Sequence, residues 1–126
     1  MRHDPPQVAA PVGGYSHGLE LPPGQRLLFV SGQIPERPDG RVPEGFEDQC
    51  HAVWDNVAAV LASAGMGLQD VVKVTTFLTD PGQADTNGRI RRQRLGDLRP
   101  ALTVVVARTL DAKWLLEIEV VAAQAS

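Results

Sequence analysis

The residues best placed for chemistry lie near the C-terminus, where Glu117 and Glu119 alternate with Leu116, Ile118 and Val120. Successive side chains of a strand point to opposite faces, so the two carboxylates share one face and the apolar residues occupy the other. With Val104 and Val106 expected beside the carboxylates, that face is too apolar for bulk water and too charged for a dry core. A surface between subunits, holding wet pockets, is the environment that suits it. A second group is cationic: Arg89, Arg91, Arg92, Arg94 and Arg99 put five charges into eleven residues, enough to attract an anion if they converged. At helical pitch they do not share a face, so a solvated helix with scattered ion pairs is expected. Other chemistries lack their parts. His3, His17 and His51 show no pairing pattern for acid–base cleavage of RNA. Cys50 and His51 are adjacent and point apart on a helix, which is no zinc spacing, so neither a metal nor another cofactor is expected.

The elements that must position these residues can be read from the same chain. Residues 1–12 have no periodicity and read as a loose arm, with one domain over 13–126. Ser16 to Leu21 and Arg26 to Ser31 flank Pro22-Pro23-Gly24-Gln25 and read as an opening hairpin. Phe46, Cys50, Val53, Val57, Leu61 and Ala64 recur every three or four residues, which predicts a helix ended by Gly65. Val71 to Leu78 reads as a strand, being rich in Val and Thr. Asp80-Pro81 resembles the cap and first turn of a second helix, reaching Leu95 and stopped by Gly96. Ala101 to Arg108 and Trp114 to Ala122 read as two closing strands joined by a hairpin-length loop. The order ββαβαββ gives an α+β domain, a mostly antiparallel sheet covered on one face by two helices.

Whole-chain properties narrow the classes. A length of 126 residues suits one core, and a net charge of −3 with a pI near 5.5 argues against a dedicated polyanion binder. No apolar run approaches the roughly 20 residues of a spanning helix, and the lone Cys50 cannot form an intrachain disulfide. A cytoplasmic setting is expected, with neither membrane nor nucleic acid as partner.

Several segments together carry a likeness: Gly14-Tyr15-Ser16, Val30-Ser31-Gly32-Gln33-Ile34-Pro35, Asp70-Val71-Val72-Lys73-Val74-Thr75, Pro100-Ala101, Val106-Ala107-Arg108 and Glu117-Ile118-Glu119. From about Gly13 to Ala123 the chain resembles the RidA/YjgF family. That resemblance implies a chorismate-mutase-like homotrimer with small-molecule clefts between subunits, and hydrolysis of reactive enamines or imines to ketones and ammonia. It also implies that Glu117 positions the attacking water, that Tyr15 lines the cleft, and that Ser31, Gly32 and Asn87 lie near the ligand. The family's carboxylate-gripping arginine follows Pro-Ala, and here that place is held by Leu102, with Thr103 and Val104 next. Leucine cannot supply the two charge-assisted hydrogen bonds of a guanidinium. An altered substrate choice is therefore expected, with Arg91 or Arg94 as candidate replacements for the missing anchor. A non-catalytic small-molecule binder is the alternative, and an RNA-acting protein stands third.

Overall fold

A computed structural model describes all 126 residues. The first helix, α1 (Phe46–Ser63), turns Cys50, Val53, Val57 and Leu61 of the expected stripe inward and adds Trp54, while Phe46 and Ala64 at its ends are half-buried. Glu47 and Asp48 occupy its first turn, where the helix dipole favours negative charge. Its end is set by Gly65, whose φ of +71° frees the next amide to close the last turn, Met66 N–H donating to Leu61 O at 2.9 Å. The second helix begins as anticipated. The Asp80 carboxylate accepts from Gly82 N–H at 2.8 Å, a short 3₁₀ turn covers Pro81–Gln83, and α2 (Ala84–Leu95) continues from it to Gly96.

The main sheet holds four strands: β3 (Gln25–Gln33), β4 (Val71–Leu78), β5 (Ala101–Val106) and β6 (Leu116–Ala125), in the order β3-β6-β4-β5. Two hairpins expected from the sequence are therefore absent. Gly18–Leu19, strand β2, pairs with Arg2–His3, strand β1, and not with β3, so the arm expected to be loose carries a strand of its own. At the other end β5 and β6 are not neighbours, because β4 lies between them. The physical reason is α2: a helix between two strands can carry the chain back over the sheet, and β5 duly pairs parallel to β4. The central place falls to β6, antiparallel to both β3 and β4, whose Leu116, Ile118, Val120 and Ala122 are all buried.

Those four side chains meet α1 and Ile90 of α2 in one apolar core. The opposite sheet face is uncovered. Register places Phe29, Val121, Lys73 and Ala101 in one row across that face, and Glu117, Phe77 and Val105 in another. Hence Thr103 and Val105, not Val104 and Val106, share the carboxylates' face. Phe29 is 73% exposed and Val105 41% exposed, and nothing within the chain shields them.

Candidate functional site

The entrance to β6 is fixed before Glu117 is reached. Gln49 of α1, buried, donates from its amide to Pro43 O at 2.7 Å and Lys113 O at 2.9 Å, and accepts from Leu115 N–H at 2.9 Å. Thr79 adds its hydroxyl and its amide to Leu115 O, at 3.0 and 3.2 Å. With both sides of Leu115 held, Glu117 emerges two residues later on the open face in a defined register. Opposite it, the β3–β6 pairing slips between Val30 and Gln33. An extra residue in one strand re-aims the backbone locally, and this slip brings Gly32 beneath Glu117. A Cβ built on Gly32 would stand 2.8 Å from the Glu117 Cδ and still closer to its Oε2. With Glu117 in this position only glycine fits, and any larger residue would displace its carboxylate.

Glu117 takes part in none of the chain's six ion pairs. Beside it on the same face lies a shallow depression of about 330 Å³, whose lining includes Ser31, Phe29, Lys73, Thr75 and Glu119. Lys73 donates to Thr103 Oγ1 at 2.9 Å, tying β4 to β5 across this face. Of the residues singled out from sequence, Glu117, Ser31 and Gly32 thus form one group, with Thr103 further along the same face. Phe77 and Lys73 were missed. The signal for Lys73 was a lone charge inside a Val- and Thr-rich strand.

Tyr15 belongs to a second group. Ser16 is buried, donates from its hydroxyl to Arg99 O at 2.7 Å and from its amide to Pro100 O at 3.1 Å, and bridges Ala101. This pins Gly13 to Ser16 along the start of β5, with the Tyr15 ring edge-on to His17 at 5.7 Å. Glu117 lies level with Val105, four residues further along that strand and two strands over. By strand geometry the separation is about 13 Å lengthwise and about 10 Å across. No small ligand spans both groups within one copy.

The chain matches the family model described as Endoribonuclease L-PSP over residues 6–124. It belongs to that family. This is the RidA/YjgF family to which the sequence motifs pointed. A RutC family protein of Aquifex aeolicus is 35% identical over 120 residues, 93% of this chain and 94% of its own. TdcF of Escherichia coli, provisionally named a reactive intermediate deaminase, is 30% identical over 119 residues, 91% of this chain and 90% of its own. Among solved structures, RidA from an Antarctic Psychrobacter superposes with a TM-score of 0.75 at 29% identity, covering 91% of this chain and 92% of that one. A Rid family protein of Yersinia pestis reaches a TM-score of 0.86 over 98% of both chains, at 24% identity a match of fold.

Within this L-PSP family fold, the remaining candidates separate. Leu102 pairs with Val74 and packs against the core, on the face away from Glu117, and Val104 shares that face with Thr76. Asn87 is 2% exposed, inside the protein on α2, with its Oδ1 unbonded. The two candidate replacement anchors also differ. Arg94 is tied to α1, donating to Asp55 Oδ1 at 2.9 Å and meeting His51 Nδ1 at 3.0 Å, so it is already occupied. Arg91 is 6% exposed and donates to Gly13 O at 2.7 Å, beneath the loop that carries Tyr15. Burial, and then the neighbouring Arg92, pull its pKa below the usual arginine value.

Proposed function

We propose that three copies associate through their open sheet faces, and that each of the resulting clefts hydrolyses a reactive enamine or imine to a carbonyl compound and ammonia. One copy contributes Glu117 with Ser31 and Gly32, and a neighbour contributes Tyr15 and the start of its β5. The observation that carries this reading is the Glu117 carboxylate, held over Gly32 on an uncovered apolar face and committed to no ion pair.

Glu117 orients a water, takes its proton as the oxygen attacks the imine carbon and passes that proton to the nitrogen. The resulting carbinolamine then expels ammonia as its hydroxyl proton moves to the departing nitrogen through the same carboxylate, leaving the carbonyl. Tyr15 supplies an aromatic wall with a polar tip. Phe29, Phe77 and Val105 limit water access once a second copy covers them. Leu102 in place of the arginine shifts substrate choice away from small imino acids that rely on that anchor.

The test is to generate enamines in situ, add the purified protein, and follow ammonia release alongside sedimentation. Faster release by a trimeric wild type, lost in Glu117→Gln, supports the proposal. A stable monomer at micromolar concentration removes its basis. Leu102 also favours a second reading, a trimer that binds a small molecule without turning it over, which would appear as saturable binding with the ligand recovered unchanged. The histidines argue against RNA cleavage: His3 meets Glu20, His17 meets Ala9 O, and His51 meets Arg94, so no two of them form an acid–base pair.

A further inference from the structure

Half of the ten arginines of this chain have a counter-charge. Arg2, Arg37, Arg41, Arg89 and Arg94 each pair with a carboxylate. Arg26 and Arg108 do not, and neither do Arg91, Arg92 and Arg99, although acidic residues outnumber basic ones in the chain, 15 to 12. These three converge on one short loop. Cβ positions built on Gly13 would lie 3.5 Å from Arg92 Nη1 and 3.7 Å from Arg91 Nη2, and one on Gly14 would lie 3.4 Å from Arg99 Nη1. Like charges brought together without a partner repel, and a guanidinium as buried as Arg91 is poorly compensated by one neutral carbonyl. The helix dipole accounts for part of this, since Arg92 lies in the last turn of α2. It does not account for Arg99, which lies beyond the helix.

The loop itself is unusual. Gly13 and Gly14 have φ of +99° and +84°, a backbone path that ordinary side chains resist. The amides of Gly13, Gly14 and Tyr15 donate to no backbone acceptor, the first bond in this stretch being Ser16 N–H to Pro100 O. Next to them opens a cavity of about 420 Å³, lined by Arg2, Arg99, Gly13, Gly14 and Tyr15 among others. That volume falls within the range of small-molecule sites.

From these observations we infer that the Gly13–Tyr15 loop and Arg99, backed by Arg91 and Arg92, form a binding site for the oxyanion of a small molecule, a carboxylate or a phosphate. The free amides and the Arg99 guanidinium supply the donors, and the two glycines let the anion approach the backbone closely. Arg91 and Arg92 add positive potential from behind without touching the ligand. The site needs neither Glu117 nor turnover. It shares only Tyr15 with the proposed cleft, and would supply there the anionic grip that Leu102 does not.

The experiment is a calorimetric titration at low ionic strength with two probes, benzoate and inorganic phosphate, on wild type, Arg99→Gln, Glu117→Gln and Arg37→Gln. Saturable binding of at least one probe is expected, weakened about tenfold or more in Arg99→Gln and unchanged in Arg37→Gln. The probe that binds identifies the oxyanion. Retained binding in Glu117→Gln separates this inference from the deaminase reading, which fails independently if ammonia release is absent. No saturable binding of either probe to wild type, or equal affinity in Arg99→Gln, overturns it. So does a structure of the assembled protein with a neighbouring copy's carboxylate seated on Arg99.

Discussion

The Glu117 carboxylate fills the space that any side chain at position 32 would need. A methyl group there must swing the Glu117 side chain out of its position, which should cost about 0.5–1.5 kcal/mol. Gly32→Ala and Glu117→Ala are therefore expected to be non-additive, the double variant regaining stability relative to the sum of the singles. Urea unfolding of the four proteins at one fixed concentration gives the coupling energy, and strict additivity would mean that the contact carries no strain.

Glu117→Gln keeps the shape of the side chain and removes its capacity to accept a proton. Turnover of any accepted imine should fall by about 10²–10⁴-fold, with sedimentation and thermal melting unchanged. Equal ammonia release in the variant would remove Glu117 from the chemistry.

Gln49 satisfies two carbonyls and one amide in the interior. Gln49→Leu fits the volume and abandons all three, so a loss of about 1–3 kcal/mol or more is expected from groups left unbonded. Hydrogen exchange at the Leu115 amide should rise more than exchange within β3. A uniform rise across both would place the role of Gln49 elsewhere than at the β6 entrance.

Burial pushes the Cys50 thiol up to about 12. Thiolate is the reactive form, so the native protein should resist disulfide-exchange reagents at pH 8 and react with one equivalent only after denaturation. Rapid modification of the folded protein would contradict the packing of α1.

Asp55 accepts from Arg37 and is paired with Arg94, each at 2.9 Å. Partial burial raises its pKa, but the hydrogen bonds from Arg37 and then Arg94 outweigh that and hold the carboxyl below its usual range. A depressed folded pKa contributes stability that is present above the unfolded value, about 3.9, and lost as pH falls through the folded value. Asp55→Asn should therefore be less stable than wild type near pH 7, with the gap closing below about pH 4. A gap that persists undiminished in acid would assign the effect to packing.

Much of the architecture could be read from local pattern. The α1 stripe, the Val71–Leu78 strand, the Asp80-Pro81 start and the stops at Gly65 and Gly96 are each encoded within a few residues of where they act. Strand neighbours are not. Alternation tells which side chains share a face of one strand, but not which strand lies alongside, and so two hairpins were expected where a crossover and a central β6 exist. The site followed the same rule. Glu117 could be singled out by motif, whereas its contact with Gly32 depends on a bulge between strands far apart in sequence. The gathering of Arg91, Arg92 and Arg99 was likewise hidden, because helical pitch separates Arg91 from Arg92 and only the Gly13–Gly14 loop reunites them with Arg99. The one available hint was Arg99 itself, directly before Pro100-Ala101.

Strand β5 lies at the sheet margin as Ala-Leu-Thr-Val-Val-Val, without charge or proline. A β-prone edge of this kind is a template for stray pairing between chains. Under the proposed assembly, each newly made copy is therefore in a race between finding its proper neighbours and joining the wrong ones. Damage to the proposed mating surface should accordingly register in a cell as vanished soluble material, well before any loss of the proposed turnover could be detected.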